Sequence, residues 1–308
     1  MIITRTPFRI SFFGGGTDYP VWYQDNGGVV LATTIDKYCY ISCRHLPPFF
    51  EYKHRIVYSR IENVHRVDEI EHPAVRAILS WADCDEGLEI HHDGDLPARS
   101  GLGSSSSFTV GLVQALAALE GQYTSKEELA RNAIHIEQHI IKEAVGSQDQ
   151  ISAAFGGFNR IEFMRNGTFH VSPIILARDR LHELQNHLML CFTGFSRIAS
   201  EVARSQIENV KSREVELKRM GEMVDKAIQV LQNTNSAIGE FGELLHQSWL
   251  CKRTLSDKVS TPEIDTIYEE AMGAGATGGK ILGAGGGGFL LLFVSPNLQS
   301  QVRERLKH

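Results

Sequence analysis

The chain has no Cys-x-x-C pair. Its five cysteines, Cys39, Cys43, Cys84, Cys191 and Cys251, are odd in number and widely scattered. That spacing argues against a disulfide framework and a zinc ribbon, and reads as small buried hydrophobes of a reducing compartment. Long apolar runs are missing too. Phe289 to Val294 is the longest near the C-terminus, far short of the roughly 20 residues that a membrane helix needs. Arginines interrupt the N-terminal stretch MIITRTPFRISFF, so it does not read as a signal peptide. Nor is positive charge in excess: 31 Lys and Arg against 37 Asp and Glu leave a net charge of −6, and no global basic footprint for nucleic acid exists. Internal repeats and low-complexity tracts are absent. The expectation is a cytoplasmic protein with neither a membrane nor a nucleic-acid partner.

Glycine, in contrast, is plentiful and clustered. There are 28, and many fall in Gly14 to Gly16, Gly101 to Gly103 and Gly273 to Gly288. Glycine clusters mark places where backbone turns sharply or comes close to a ligand. Hydrophobic residues at 42% and charged residues at 22% of 308 suit a folded chain long enough for two domains.

Strand signals dominate the first hundred residues: Ile2 to Phe13, Val29 to Ile35, Tyr38 to Cys43 and Leu88 to His92. A helical pattern covers His72 to Trp81. After Gly103, Phe108, Leu112, Ala115, Leu116 and Leu119 fall on one helical face. A second helix is expected over Ser125 to Glu143, opened by a Ser125-x-x-Glu128 capping box. Asn166-Gly167 between apolar runs predicts a hairpin. A strand over His187 to Phe192, helices over Ser200 to Gln232 and Ser236 to Leu255, a helix from Pro262, strand Phe289 to Val294 and a final helix complete the chain. Strands and helices mix without regular βαβ alternation, which predicts an α+β fold. The expected domains are 1–178 and 179–308.

Three segments carry chemistry. The central one is Pro97-Ala98-Arg99-Ser100-Gly101-Leu102-Gly103-Ser104-Ser105-Ser106-Ser107, feeding directly into the helix from Phe108. A glycine-rich turn at a helix N-terminus offers unpaired N–H groups and the positive dipole end to an anion. One serine suffices for a cap; two glycines and four serines exceed that need and point to phosphate. It is not a Walker A loop, because no G-x-x-x-x-G-K-[ST] is present. G-x-G-x-x-G occurs at Gly273 to Gly278 and Gly283 to Gly288, but neither copy joins a strand to a following helix, as a dinucleotide turn requires. Asp149, in Gly146-Ser147-Gln148-Asp149-Gln150, reads equally well as a catalytic acid or a helix cap. Glu137 lies twelve residues earlier between His135 and His139, where the order H-I-E-Q-H does not make a zinc-protease motif.

With Pro7-Phe8-Arg9-Ile10-Ser11-Phe12-Phe13-Gly14-Gly15-Gly16-Thr17-Asp18-Tyr19 before it and Lys280-Ile281-Leu282-Gly283-Ala284-Gly285-Gly286-Gly287-Gly288-Phe289 after it, the central loop resembles the three ordered motifs of the GHMP kinase superfamily. The likeness spans residues 7 to 289. It implies a two-domain α+β fold, the N-terminal domain similar to the second domain of ribosomal protein S5 and the C-terminal one ferredoxin-like. It also implies an ATP-dependent sugar kinase. On that resemblance ATP lies on Pro97, Arg99, Ser100, Gly101, Leu102, Gly103, Ser104, Ser105 and Ser106. Mg²⁺ is held by Ser105 and Glu137, and Asp149 is the catalytic aspartate that accepts the proton of the attacking hydroxyl, with Arg9 stabilising developing charge. The wording GGGTDYP, ARSGLGSSSSFTVG and GSQDQISAAFGGFN is similar to the branch acting on heptose 7-phosphates, which yields 1,7-bisphosphates for GDP-heptose and surface polysaccharide. Gly15 and Gly16 depart from the acid and histidine of galactokinases. Sugar contacts would come from Gly14, Gly15, Gly16, Thr17, Asp18, Gly286 and Gly287, with Arg197 or Lys280 as counter-charge for the sugar's own phosphate. A kinase for another sugar such as L-fucose or galactose, or a non-catalytic ligand-binding relative, remains the alternative.

Overall fold

The computed structural model describes residues 1–98, 100–195 and 199–307. In chain order its elements are β1 (Ile2–Phe13), α1 (Pro20–Asn26), β2 (Gly28–His45), β3 (His54–Val57), β4 (Ile61–Val64), α2 (Pro73–Trp81), β5 (Leu88–Gly94), α3 (Ser104–Leu119), α4 (Lys126–His135), α5 (Gln148–Phe155), β6 (Phe158–Phe163), β7 (Phe169–Pro173), α6 (Arg178–His187), β8 (Leu188–Phe192), α7 (Ala199–Asn209), α8 (Glu214–Gln232), α9 (Gly239–Arg253), α10 (Pro262–Gly273), β9 (Ala276–Ile281), β10 (Phe289–Val294) and α11 (Gln299–Arg305).

These elements pack as two compact units, each assembled from separate stretches of chain: 1–9, 34–98 and 103–157 form the first, and 10–33, 99–102 and 158–308 the second. The single cut at 178/179 read from the sequence does not describe this interleaving. Its source is the length of β1 and β2, each of which contributes residues to both units.

In the first unit the strand order is β4-β3-β5-β2. β3 runs parallel to β5, while β4–β3 and β2–β5 are antiparallel. The α3 helix is buried on nearly all sides, from Ser106 through Val113 and again at Ala115 and Leu116, as expected of a helix that is apolar all round. Ser125 caps α4 by accepting from the Glu128 N–H at 3.2 Å. The helix predicted to run on to Glu143 instead passes into a single π turn, Ile136–Ile140, closed by Ile141 N donating to Ile136 O at 2.8 Å.

In the second unit, residues of β2 pair antiparallel with β6, and β6 with β7, forming the hairpin that Asn166-Gly167 predicted. A separate sheet has the order β8-β10-β9, antiparallel throughout. Trp249, Ile264, Tyr268, Leu290, Leu292 and Val302 lie in its apolar core. The long helix expected over 200–232 is two helices separated by a 3₁₀ turn, Val210–Arg213. The two strands expected between Val29 and Cys43 are one continuous β2.

All five cysteines are free thiols. Burial pushes Cys39 and Cys43 up to about 12, which keeps them protonated and unreactive. No helix among the described residues is long and apolar enough to cross a membrane.

Candidate active site

The first unit gathers the acids around the start of α3. Gly103 is its N-cap, at φ 77° and ψ 24°, a left-handed conformation that glycine adopts without strain. A Cβ at Gly103 would stand 3.1 Å from Arg9 Cγ and 3.5 Å from Asp149 Oδ2, so the missing side chain also makes room for that pair. Arg9 grips Asp149 with both ends of its fork, Nε to Oδ1 at 2.7 Å and Nη2 to Oδ2 at 2.6 Å. The Arg9 side chain is buried at 5% exposure, whereas that of Asp149 remains 26% exposed. Asp149 occupies the first turn of α5, where the helix dipole favours a carboxylate.

Glu137 sits on the π turn, 1% exposed. An inserted π turn re-aims the side chains it carries, and here Glu137 faces the interior. Its Oε2 accepts from Ser106 Oγ at 2.9 Å and from Gln150 Nε2 at 2.5 Å, whereas Oε1 accepts no hydrogen bond among the described residues. Burial pushes its pKa up to about 7, against the pull of the Thr109 hydroxyl, the Gln150 amide and the Ser106 hydroxyl. A buried carboxylate with one unmatched oxygen fits a hard divalent cation, which binds through oxygen ligands.

The serine on Glu137 is therefore Ser106, one residue beyond the Ser105 read from the sequence as its metal partner. Ser105 is exposed and Ser104 half-buried. Gln150 and Thr109 were not singled out from the sequence at all; thirteen residues separate Glu137 from Gln150, and only the π turn and the start of α5 bring them together.

The second unit carries the other motifs. Thr17 braces the first glycine turn: its hydroxyl donates toward Gly14 O at 2.8 Å and Val29 O at 2.9 Å and accepts from Val29 N at 3.0 Å. Asp18 Oδ1 accepts from Gly16 N at 2.9 Å. Both side chains are 2% exposed. Gly14 and Gly16 are buried and Gly15 half-buried. Lys280 is buried, and its Nζ donates to Phe12 O at 3.0 Å, which ties β9 to the first motif.

The glycine-rich loop after β9 lies directly against Ser100 and Gly101. A Cβ on Gly101 would be 2.7 Å from Leu282 O, and one on Gly283 would be 2.8 Å from Gly101 Cα. Only hydrogen fits at this crossing. Phe289 N donates to Ser100 O at 3.0 Å, while Gly286 and Gly287 are buried. Pro97 is exposed and Leu102 fully buried. Arg99 and Arg197 lie outside the described residues.

Two family models match the chain, "GHMP kinases N terminal domain" over residues 68–157 and "GHMP kinases C terminal" over residues 226–308. The chain is 30% identical to the D-glycero-alpha-D-manno-heptose 7-phosphate kinase of Campylobacter jejuni, over 99% of this chain and 93% of that protein. It is 26% identical to the bifunctional fucokinase/GDP-fucose pyrophosphorylase of Arabidopsis thaliana, covering 98% of this chain but 30% of that one. Among solved structures, a D-glycero-D-manno-heptose 1-phosphate kinase from Bacteroides thetaiotaomicron superimposes with a TM-score of 0.80 at 24% identity, over 99% of this chain and 92% of that one. The motif order, the α+β fold and the full-length similarity agree: the chain belongs to the GHMP kinase family.

Proposed function

We propose that this GHMP kinase transfers the γ-phosphoryl group of ATP to the anomeric hydroxyl of D-glycero-D-manno-heptose 7-phosphate, giving the 1,7-bisphosphate on a route to GDP-heptose and surface polysaccharide. The observation that carries the choice of sugar is the similarity, along nearly the whole of both chains, to a heptose 7-phosphate kinase. That the protein is an ATP-dependent sugar kinase follows from its family and its named relatives.

The chemistry follows from the residues. Phosphoryl transfer asks for positioning, charge neutralisation and a group that orients the nucleophile. Asp149, held by Arg9 yet partly open to solvent, accepts a hydrogen bond and then the proton of the attacking hydroxyl. Arg9 keeps the carboxylate in one orientation and sets a positive charge beside the developing negative one. The first N–H groups of α3 have no partner within the helix and receive phosphate oxygens. Glu137, with Ser105 or Ser106, would hold Mg²⁺, which when bound neutralises phosphate charge. Thr17 and Asp18 shape the sugar end, and Arg197 remains the candidate for the sugar's own phosphate.

The test is a phosphoacceptor screen read by ADP release and ³¹P NMR. Heptose 7-phosphate should give a second phosphorus signal coupled to the anomeric proton. ADP release with L-fucose or galactose and none with the heptose phosphate would overturn the sugar assignment while leaving the kinase intact. Consumption of heptose 1-phosphate instead, as the name of the structural neighbour suggests for that protein, would move the acceptor to the other end of the sugar.

A further inference from the structure

Lys252 lies in the last turn of α9 and is 4% exposed. A lysine this deep is retained only when its charge is matched by good acceptors. Its Nζ donates to Ile281 O at 2.9 Å and also to Gly283 O. Ile281 is the last residue of β9, so these carbonyls mark the exit into the glycine-rich loop. The next carbonyl, Ala284 O, accepts from Gln206 Nε2 of α7 at 2.6 Å. Two residues on, Gly286 N donates to Val259 O at 2.8 Å. Side chains from two helices thus secure three carbonyls of a loop that glycine alone would leave free to move.

This loop supports Ser100 and Gly101. The crossing of Gly283 and Gly101 leaves no room for a Cβ on either residue, and Phe289 N holds Ser100 O. A shift at residues 281–283 must therefore move Gly101. We propose that Lys252 is a positioning residue for the phosphate loop: its buried ammonium fixes the turn at 281–283, against which Gly101 is set for the phosphates of ATP. Carbonyl oxygens carry partial negative charge, and binding them to Lys252 and Gln206 also keeps that charge from being turned toward a phosphate. The inference rests on the reading of residues 100–106 as the ATP phosphate site.

The experiment uses the full chain and Lys252→Met, which keeps the length and apolar bulk of the side chain and removes its donors. Losing a charge-assisted hydrogen bond should weaken binding of the Mg²⁺ complex of AMP-PNP by about tenfold or more. The KM for ATP should rise while the KM for the sugar changes little. Amide exchange should quicken in 281–289 and 100–103 ahead of the rest of the second unit. Lys252→Arg, which restores donors, should recover part of the affinity. Wild-type nucleotide affinity in folded Lys252→Met would overturn the proposal. So would a loss that falls equally on sugar and nucleotide and simply follows thermal stability. If Lys252→Met does not fold, Gln206→Ala decides: it frees only Ala284 O and should weaken nucleotide binding severalfold, and unchanged affinity there also overturns the proposal. Failure of the parent protein to bind AMP-PNP would instead remove the ATP reading of residues 100–106, a result separable from any Lys252 effect because it appears without a substitution.

Discussion

Arg9 and Asp149 stand 140 positions apart in sequence and meet through two parallel hydrogen bonds of 2.7 and 2.6 Å. A guanidinium fork on a carboxylate fixes direction as well as charge. Since β1 supplies one partner and α5 the other, the pair fixes the start of α5 against the N-terminal part of β1 within the first unit. Asp149→Asn should therefore reduce kcat by about 10²–10⁴, the usual loss of a general base. On the proposed reading other groups hold the phosphates, so the nucleotide Kd should change much less and the defect should sit in kcat. Raising the pH should not restore activity, since asparagine has no proton to lose. Near-normal kcat at saturating Mg²⁺ would end the base assignment.

The same contact makes Arg9 and Asp149 energetically dependent. Arg9→Met leaves Asp149 without its cation and should also lower kcat, by tenfold or more if a charge-assisted bond worth about 1.5–3 kcal/mol is lost. Combined with Asp149→Asn, the two losses should add to much less than their sum, as coupled neighbours do. Fully additive effects on kcat would show that the two act separately.

Glu137 gives a prediction about pH. Its carboxyl is raised from 4.5 to about 7 by burial, so the folded protein holds this proton more tightly than the unfolded chain. The stability that protonation confers is complete below about 4.5 and is lost as pH rises through about 7. At 1.36 kcal/mol per pKa unit, the full swing is about 3 kcal/mol. In EDTA and without nucleotide, Glu137→Gln should thus be more thermostable than the parent at pH 8 and nearly equal to it at pH 5. Mg²⁺ with ATP should reverse the order at pH 8 by stabilising the parent. A parent more stable than Glu137→Gln at pH 8 in EDTA would contradict the burial argument.

Motif and fold class were open to reading in the sequence, because both are written locally. Glycines at Gly101 and Gly103 followed by serines announce a turn before a helix, and Asn166-Gly167 announces its hairpin. Elements with weak local signals were not visible. Short β3 and β4 carry only four residues each, too few for a period to show. β9 reads Ala-Thr-Gly-Gly-Lys-Ile, a poor strand by propensity, and it exists through pairing with β10 along Leu290 to Val294; here tertiary pairing outweighs propensity. The π turn hid the other part of the site. An α-helical reading of Ser125 to Glu143 puts no special direction on Glu137, and nothing in the spacing says that Ser106 and Gln150 will share one of its oxygens.

That last point separates two serines by experiment. Ser106 Oγ donates to Glu137 Oε2 at 2.9 Å and is buried, while Ser105 is exposed and sits at the open start of α3. The resemblance assigns the metal to Ser105 with Glu137, yet the hydroxyl on Glu137 belongs to Ser106. Ser106→Ala removes one of two donors from a buried carboxylate oxygen. The carboxylate then loses a bond that favours its charged form, so its pKa should climb above about 7. Activity at limiting Mg²⁺ should fall, and the pH at which activity rises should shift upward, because Mg²⁺ competes with a more tightly held proton. Ser105→Ala leaves Glu137 and the two donors on its Oε2 untouched. If Ser105 is a direct Mg²⁺ ligand, that variant should need more Mg²⁺ at every pH, with no displacement of the pH profile. Titrating Mg²⁺ at pH 6, 7 and 8 in both variants reads the two roles independently. A Ser105→Ala enzyme with the parent's Mg²⁺ requirement removes Ser105 from the metal shell. A Ser106→Ala enzyme with an unshifted pH profile shows that its bond to Glu137 does not control the proton.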